Sequence, residues 1–231
     1  MFYTVKIRHG LVLVLATVIS LLTIPTVLYK SGIVPAAQLN HNNCLIIDPG
    51  HGGIDGGALS AAGDKESEIN LSIALKLKCI AQLYGEHVVL TREDDASRTD
   101  ALSYSEHEDL VYRTNIINSC ANGVLVSIHQ NCYPTSQPSG AQVLFSDDDN
   151  SRVFGSITHN NIIEKLQPEN RRVAEPAPKK LFITSNAKCP AILVECGFMS
   201  NLKDIENLKN LEYQTKLSAV LFGSYIQFRY S

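Results

Sequence analysis

The chain has 231 residues, of which 45% are apolar, so it can form one α/β domain of ordinary size with an N-terminal appendage. Its net charge of −3 and isoelectric point of about 6.2 do not suggest nucleic-acid binding, and we expect no nucleic acid as a partner. The six cysteines include no Cys-x-x-Cys spacing, which argues against a zinc finger or a thioredoxin motif.

Residues 1–30 differ in character from the rest of the chain. Lys6 and Arg8 precede an uncharged run from Leu11 to Tyr29. A helix needs about 20 apolar residues to cross a bilayer, and this run is long enough. It is also longer than the apolar core of most cleaved signal peptides. Positive charge on the amino-terminal side of such a run predicts that the part following it lies outside the cytoplasmic membrane. A buried helix of a soluble fold is a poor alternative, because the run has no polar face.

The pattern of polarity divides the chain into three parts. We expect a signal-anchor at residues 1–30, a short linker containing Ser, Gly, Pro, Asn and Gln at 31–43, and a folded domain at 44–231. The anchor would attach the domain to the membrane on its outer side. If the anchor were cleaved, the domain would be secreted into the cell envelope.

Short apolar runs alternate with helical periodicity from residue 44 onward. The apolar runs predict strands at 44–47, 88–91, 124–128, 141–145 and 191–194, with an additional strand at 181–184. Helical spacing predicts helices at about 66–80, at 109–120, from the acidic turn at 147–149 to about 166, and in two pieces after 202. This alternation predicts an α/β fold with a largely parallel sheet.

Three of the predicted strands are followed by a residue that can bind a metal or transfer a proton. His51 follows the first strand in a loop that is mostly glycine, and His129 and Glu195 directly follow two later strands. Because ligands bind at the carboxyl ends of the strands in such sheets, we expect these side chains to share a site.

Two histidines and a carboxylate are the ligands of many catalytic zinc sites, which leave a fourth position for water. A second carboxylate that does not bind the metal would then transfer the proton. Glu66, Glu68 and Glu195 are all available, and their spacing alone does not assign the two roles. The chemistry predicted at this level is the metal-assisted hydrolysis of an amide, ester or similar acyl bond.

Four blocks of residues carry a resemblance to a known family. They are Ile47–Gly53, Glu66 with Asn70-Leu71, Ser127–His129 with Asn131, and Val194–Phe198 with Ser200-Asn201. With these blocks, residues 44–228 resemble the zinc-dependent N-acetylmuramoyl-L-alanine amidases of type 3. The resemblance implies a single domain with a twisted, mostly parallel sheet flanked by helices, and a zinc site at the carboxyl ends of the strands.

The resemblance also implies a role for each site residue. His51, Glu66 and His129 match the ligands of Zn²⁺, and Glu195 matches the general base that later acts as the acid. The reaction implied is hydrolysis of the amide between the lactyl group of N-acetylmuramic acid and L-alanine in peptidoglycan. Arg92 and Asn131 also match, either as residues that shape the site or as hydrogen-bonding residues of their loops.

Within the family, the chain is most similar to the germination-specific amidases of the spore cortex. The reasons are the short chain, the N-terminal segment, the lack of wall-binding repeats, and residues 108–110 with Arg113. That likeness implies a role in forming muramic-δ-lactam, in the spore intermembrane space or cortex, with a lipoprotein activator as a potential partner. A vegetative cell-wall amidase of cell separation is the nearest alternative.

Two more distant alternatives are a zinc carboxypeptidase acting on stem peptides and a non-catalytic wall-binding module. A carboxypeptidase would release terminal amino acids, whereas a binding module would lack a ligand or the base, and here all four positions are filled. One further segment is distinctive: residues 168–180 contain three prolines and four basic residues, which is typical of a surface loop that could contact an anionic partner.

Overall fold

The computed structural model describes residues 43–95 and 104–231. The predicted signal-anchor at 1–30, and the predicted linker at 31–43 except for Asn43, lie outside the described residues. Within the described part of the chain, no helix combines the length and the apolar character needed to cross a bilayer.

The described residues form a six-stranded sheet with helices on both faces. The strands are β1 (Cys44–Pro49), β2 (His87–Leu90), β3 (Gly123–Asn131), β4 (Gln142–Phe145), β5 (Glu175–Pro176) and β6 (Ala191–Phe198). The helices are α1 (Glu66–Leu83), α2 (Glu106–Ser119), α3 (Asp149–Leu166), α4 (Phe182–Asn186), α5 (Leu202–Lys209) and α6 (Leu211–Arg229).

The sheet has the strand order β2-β1-β3-β6-β4-β5. Strand β1 pairs in parallel with β2 and β3, and β3 pairs in parallel with β6. Strand β4 runs antiparallel to β6 and parallel to β5. The prediction of a mostly parallel α/β sheet is therefore confirmed, and the carboxyl ends of β1, β3 and β6 lie at one edge.

Alternate residues of each central strand pack on opposite faces of the sheet. Leu45 and Ile47 belong to the larger core, which α1, α3 and α6 cover, whereas Ile46 belongs to a smaller core under α2 and α4. This pattern follows from the two-residue period of a strand. The apolar stripe predicted for the C-terminal tail joins the larger core through Leu217 and Leu221.

One predicted element is wrong, and two strands extend further than predicted. Residues 181–184 were expected to form a strand, but they lie at the start of helix α4 (Phe182–Asn186). An apolar run of four residues cannot distinguish a strand from a helix, so periodicity gave no guide there. His129 and Glu195 lie within β3 and β6, because backbone pairing continues through these polar residues as the pair His129↔Glu195.

Candidate active site

The loop after β1 is shaped to bring an imidazole close to a carboxylate. His51 has a φ of 61°. A Cβ on Gly57 would lie 2.7 Å from Glu66 Oε2, and a Cβ on Gly50 would lie 2.2 Å from Nε2 of His129. Because contacts this short do not occur, both positions require glycine. The glycines of this loop therefore make room for the site residues.

His51, Glu66 and His129 converge at the carboxyl edge of the sheet. Each offers one ligand atom, and these atoms lie within 4.8 Å of one another. Nε2 of His51 lies 3.4 Å from Oε1 of Glu66, and Nδ1 of His129 lies 3.1 Å from the same oxygen. The histidine side chains are 27% and 21% exposed, so the cluster is open to solvent on one side.

Glu66 is fixed at the first turn of α1 by several donors. Its Oε1 accepts a hydrogen bond from the backbone N–H of Gln130 at 2.9 Å and one from Asn70 Nδ2 at 3.3 Å. Its Oε2 accepts from the backbone N–H of Ala58 at 2.9 Å. Glu66 is only 3% exposed, whereas Glu68 is exposed to solvent. The structure thus brings Glu66, and not Glu68, to the two histidines.

Asp55 orients the His51 ring, a role that the sequence reasoning missed. Its Oδ2 lies 2.7 Å from Nδ1 of His51, and its Oδ1 accepts from the backbone N–H of Gly57 at 3.0 Å. A carboxylate on one ring nitrogen fixes the tautomer and leaves the other nitrogen free to bind a metal. A His-x-x-x-Asp spacing within a glycine-rich loop is the signal that could have revealed this pair.

The charges within the cluster shift the pKa values of its members. Burial alone would lower the pKa of His51, but hydrogen bonds and charge interactions with Asp55 and Glu66 raise it to about 10. Burial alone would raise the pKa of Glu66, but hydrogen bonds from His129 and His51 hold it well below its usual value. The carboxylates of Asp55 and Glu66 are therefore held in the ionised form next to the histidines.

Glu195 lies next to this cluster and has an unsatisfied oxygen. It pairs with His129 across β3 and β6, and its Oε2 is buried without a hydrogen-bond partner among the described residues. Burial raises the pKa of Glu195 to about 7, although the nearby His129 lowers it. Glu195, His51 and His129 line the same cavity, with a volume of about 230 Å³.

A buried polar network supports the cluster from below. Asp48 accepts hydrogen bonds from Thr91 Oγ1 at 2.6 Å, from Ser127 Oγ at 2.7 Å and from Arg113 Nη1 at 3.2 Å. Arg113 also donates from Nη2 to the backbone oxygen of His51 at 2.6 Å. Buried polar groups that are satisfied in this way rigidify their surroundings, so the network fixes the backbone that carries His51.

Arg92 forms hydrogen bonds to the backbone of its surroundings, which is one of the two roles that the sequence left open for it. Its guanidinium is buried and donates to the backbone oxygens of Pro49, Gly50, Ser67 and Asp94 at 2.9–3.0 Å. These bonds join the loop after β1 to the start of α1. Asn131 lies at the end of β3, where its backbone oxygen accepts from the N–H of Met199.

The fold and the cluster together define an α/β domain with a candidate metal centre at the carboxyl edge of a mostly parallel sheet. Residues 45–222 match the model of the N-acetylmuramoyl-L-alanine amidase family, and the chain belongs to that family. It is therefore an N-acetylmuramoyl-L-alanine amidase that acts on peptidoglycan. Since peptidoglycan lies outside the cytoplasmic membrane, the domain acts there.

Individual relatives agree with this assignment. The germination-specific N-acetylmuramoyl-L-alanine amidase of Bacillus subtilis (strain 168) is 30% identical over 197 residues, which cover 80% of this chain and 78% of that protein. The CwlD amidase of Clostridioides difficile, solved in complex with the GerS lipoprotein, has a TM-score of 0.76 and 32% identity, covering 81% of this chain and 98% of that one. An N-acetylmuramoyl-L-alanine amidase from Clostridium difficile 630 has a TM-score of 0.71 and 27% identity, covering 83% of this chain and 99% of that one.

Proposed function

We propose that this amidase uses one zinc ion, held by His51, Glu66 and His129, with Glu195 as general base and then general acid. The observation that carries the proposal is the convergence of three donor atoms within 4.8 Å, next to a buried carboxylate oxygen that has no partner among the described residues. The bond cleaved is the amide between the lactyl group of N-acetylmuramic acid and L-alanine.

The residues present fit a catalytic zinc site. Two imidazoles and one carboxylate are a common protein ligand set of such sites. Gly57 leaves room beside Glu66, where any side chain would collide with the carboxylate. When bound, zinc would polarise the scissile carbonyl and lower the pKa of a bound water to about 7.

The side chains of the protein account for the proton transfers. Glu195 accepts a proton from the water that attacks the carbonyl carbon, because it lines the cavity and its Oε2 has no hydrogen-bond partner among the described residues. The protonated carboxyl then donates that proton to the nitrogen of L-alanine as the amide bond breaks. Asp55 keeps Nε2 of His51 directed into the site throughout.

A pair of substitutions tests the separation of these roles. Glu195→Gln is expected to retain one zinc per chain and to lose hydrolysis by a factor of about 10² or more, since general acid–base catalysis contributes about that much. His51→Ala is expected to lose both zinc and activity. Glu175→Gln, an exposed glutamate on β5, is the matched control and should retain both. Full activity in Glu195→Gln would remove the proposed mechanism.

We propose further that the enzyme acts in maturation of the spore cortex, removing stem peptides before muramic-δ-lactam forms. The germination-specific relative from Bacillus subtilis supports this role. Mass spectrometry of muropeptides released from purified cortex and from vegetative wall tests it. Faster release of whole stem peptides from cortex is expected, whereas a preference for vegetative wall would support an amidase of cell separation.

The N-terminal segment and a lipoprotein complete the proposal. We propose that residues 1–30 anchor the protein in the membrane, that 31–43 form a linker, and that 44–231 act in the spore intermembrane space or cell envelope. A lipoprotein activator is proposed because the structurally similar CwlD amidase was solved in complex with one. Fractionation of cells that produce the full chain tests the anchor. Recovery in the soluble fraction, without cleavage, would contradict it.

A further inference from the structure

Arg172 lies at the carboxyl edge of the sheet, close to Glu195. Its Nη1 donates to Oε1 of Gln142 at 2.9 Å, and Gln142 is the residue that pairs with Glu195 across β4 and β6. Its Nε donates to the backbone oxygen of Ser139 at 3.2 Å, and its Cζ lies 4.6 Å from the ring centroid of Phe198. The positive charge of Arg172 also acts on Glu195.

The main chain of Arg172 is held on both sides. Its N–H donates to Oδ1 of Asn170 at 2.9 Å, and its carbonyl oxygen lies 2.7 Å from Nε2 of His159. Because that oxygen can only accept, Nε2 of His159 is the donor. His159 is 2% exposed, and Asn170 Nδ2 is itself bonded to the backbone oxygen of Ala141 at 2.8 Å. The loop therefore presents Arg172 in a defined position.

The guanidinium of Arg172 retains donors that the protein does not use. No carboxylate among the described residues forms an ion pair with it, and its Nη2 has no hydrogen-bond partner within the described ranges. The neighbouring Arg171 differs, since it is exposed and its Nη2 lies 3.5 Å from Oε2 of Glu169. A half-buried arginine that is fixed at two nitrogens and free at the third is suited to bind an incoming carboxylate.

We propose that Arg172 forms a carboxylate-binding subsite for the departing peptide and selects substrates with a free carboxylate on the second residue of the stem. This inference rests on the proposed function of Glu195. As the general acid, Glu195 must reach the nitrogen of the leaving alanine, so the peptide extends past Glu195. Arg172 lies next to Glu195 on its Gln142 side, so a peptide that leaves past Gln142 would meet the guanidinium of Arg172.

The spacing between β6 and β4 is comparable to the length of one or two residues of an extended peptide. Adjacent strands lie about 4.7–4.9 Å apart, which sets the separation between the backbones at Glu195 and Gln142. The guanidinium of Arg172 lies one hydrogen bond beyond Gln142. An extended peptide advances about 3.3–3.6 Å per residue, so one to two residues would cover the spacing between the two strands.

Two matched substrates test the subsite: disaccharide dipeptides that differ only in a free carboxylate or a carboxamide on the second residue. Hydrolysis by the full chain is measured as kcat/KM for each. The wild type is expected to prefer the carboxylate by about tenfold, which is typical for a partly exposed hydrogen bond to a charged group. In Arg172→Gln this ratio should fall towards one, mainly through a higher KM for the carboxylate peptide.

Two further variants separate the subsite from general effects of charge and folding. Arg171→Gln removes the same charge at the adjacent position and should keep the wild-type ratio. Arg172→Lys keeps the charge and should retain part of the preference, and thermal melting shows whether each variant is folded. An unchanged ratio in folded Arg172→Gln, or hydrolysis by the wild type without preference, would overturn the subsite alone. If the wild type hydrolysed neither peptide, the proposed function would fail and the subsite with it.

Discussion

The hydrogen bond between Asp55 and His51 gives a quantitative prediction for zinc affinity. Asp55→Asn replaces a carboxylate that lies 2.7 Å from Nδ1 of His51 by an amide, which can still accept but carries no charge. Loss of such a partner typically costs 10- to 100-fold in metal affinity, or about 1.4–2.7 kcal/mol. Because the Asp55 side chain is 30% exposed, solvent screens part of its charge, and we expect a loss near the lower end, about tenfold.

Competition with a chromophoric chelator at neutral pH measures this change as an equilibrium constant for zinc. Asp55→Ala, which removes the acceptor altogether, should lose more affinity than Asp55→Asn. Asp64→Asn is the matched control, since Asp64 lies in the same loop but bonds to Ser60 Oγ and Lys209 Nζ, both at 2.6 Å. Zinc affinity of Asp55→Asn within twofold of the wild type, or an equal loss in Asp64→Asn, would refute the assigned orientation of His51.

Two other predictions concern the loop and the network beneath it. Gly57→Ala should abolish zinc binding, because its Cβ would lie 2.7 Å from Glu66 Oε2. Gly63 also has a positive φ but no atom within 4 Å of such a Cβ, so Gly63→Ala should only reduce the free energy of unfolding by about 1–2 kcal/mol. Zinc analysis measures the bound metal of each variant, and urea unfolding measures its stability. Burial alone would raise the pKa of Asp48, but Arg113 and hydrogen-bond donors hold it below the ordinary 3.8. The stability that this carboxylate contributes is therefore complete above its ordinary pKa and is lost as the pH falls below it. The urea midpoint of the wild type should therefore fall as the pH is lowered below about 4, and a decline of the same size in Asp48→Asn would contradict this assignment.

Much of the architecture follows from simple patterns in the sequence. The apolar runs that became β1, β2, β3 and β6 are flanked by turn residues and separated by helical periodicity, so both the parallel sheet and the edge that carries the candidate site could be predicted. The apolar stripe of α6 was also evident from its spacing. These features are encoded locally, which is why they could be read without a structure.

Other features depend on contacts between distant residues. Strand β5 is a pair of residues, Glu175–Pro176, that exists only because β4 offers it a partner. Composition alone could not choose between Glu66 and Glu68, and only the family resemblance favoured Glu66. In the structure, the choice depends on which carboxylate receives the N–H groups of Ala58 and Gln130. The contact between Asp55 and His51 depends on how the glycine-rich loop folds, and the His-x-x-x-Asp spacing is the only local sign of it.

Zinc affinity, measured for Glu66→Gln and Glu68→Gln, shows whether Glu66 is a ligand of the metal. The two carboxylates lie two residues apart at the start of α1, but only Glu66 lies against the histidines. We expect one tightly bound zinc per chain in the wild type and in Glu68→Gln, and a loss of affinity of at least about 100-fold in Glu66→Gln, since a ligand contributes more than its supporting partners. Equal zinc affinity in the two variants, or no bound zinc in the wild type, would contradict this expectation.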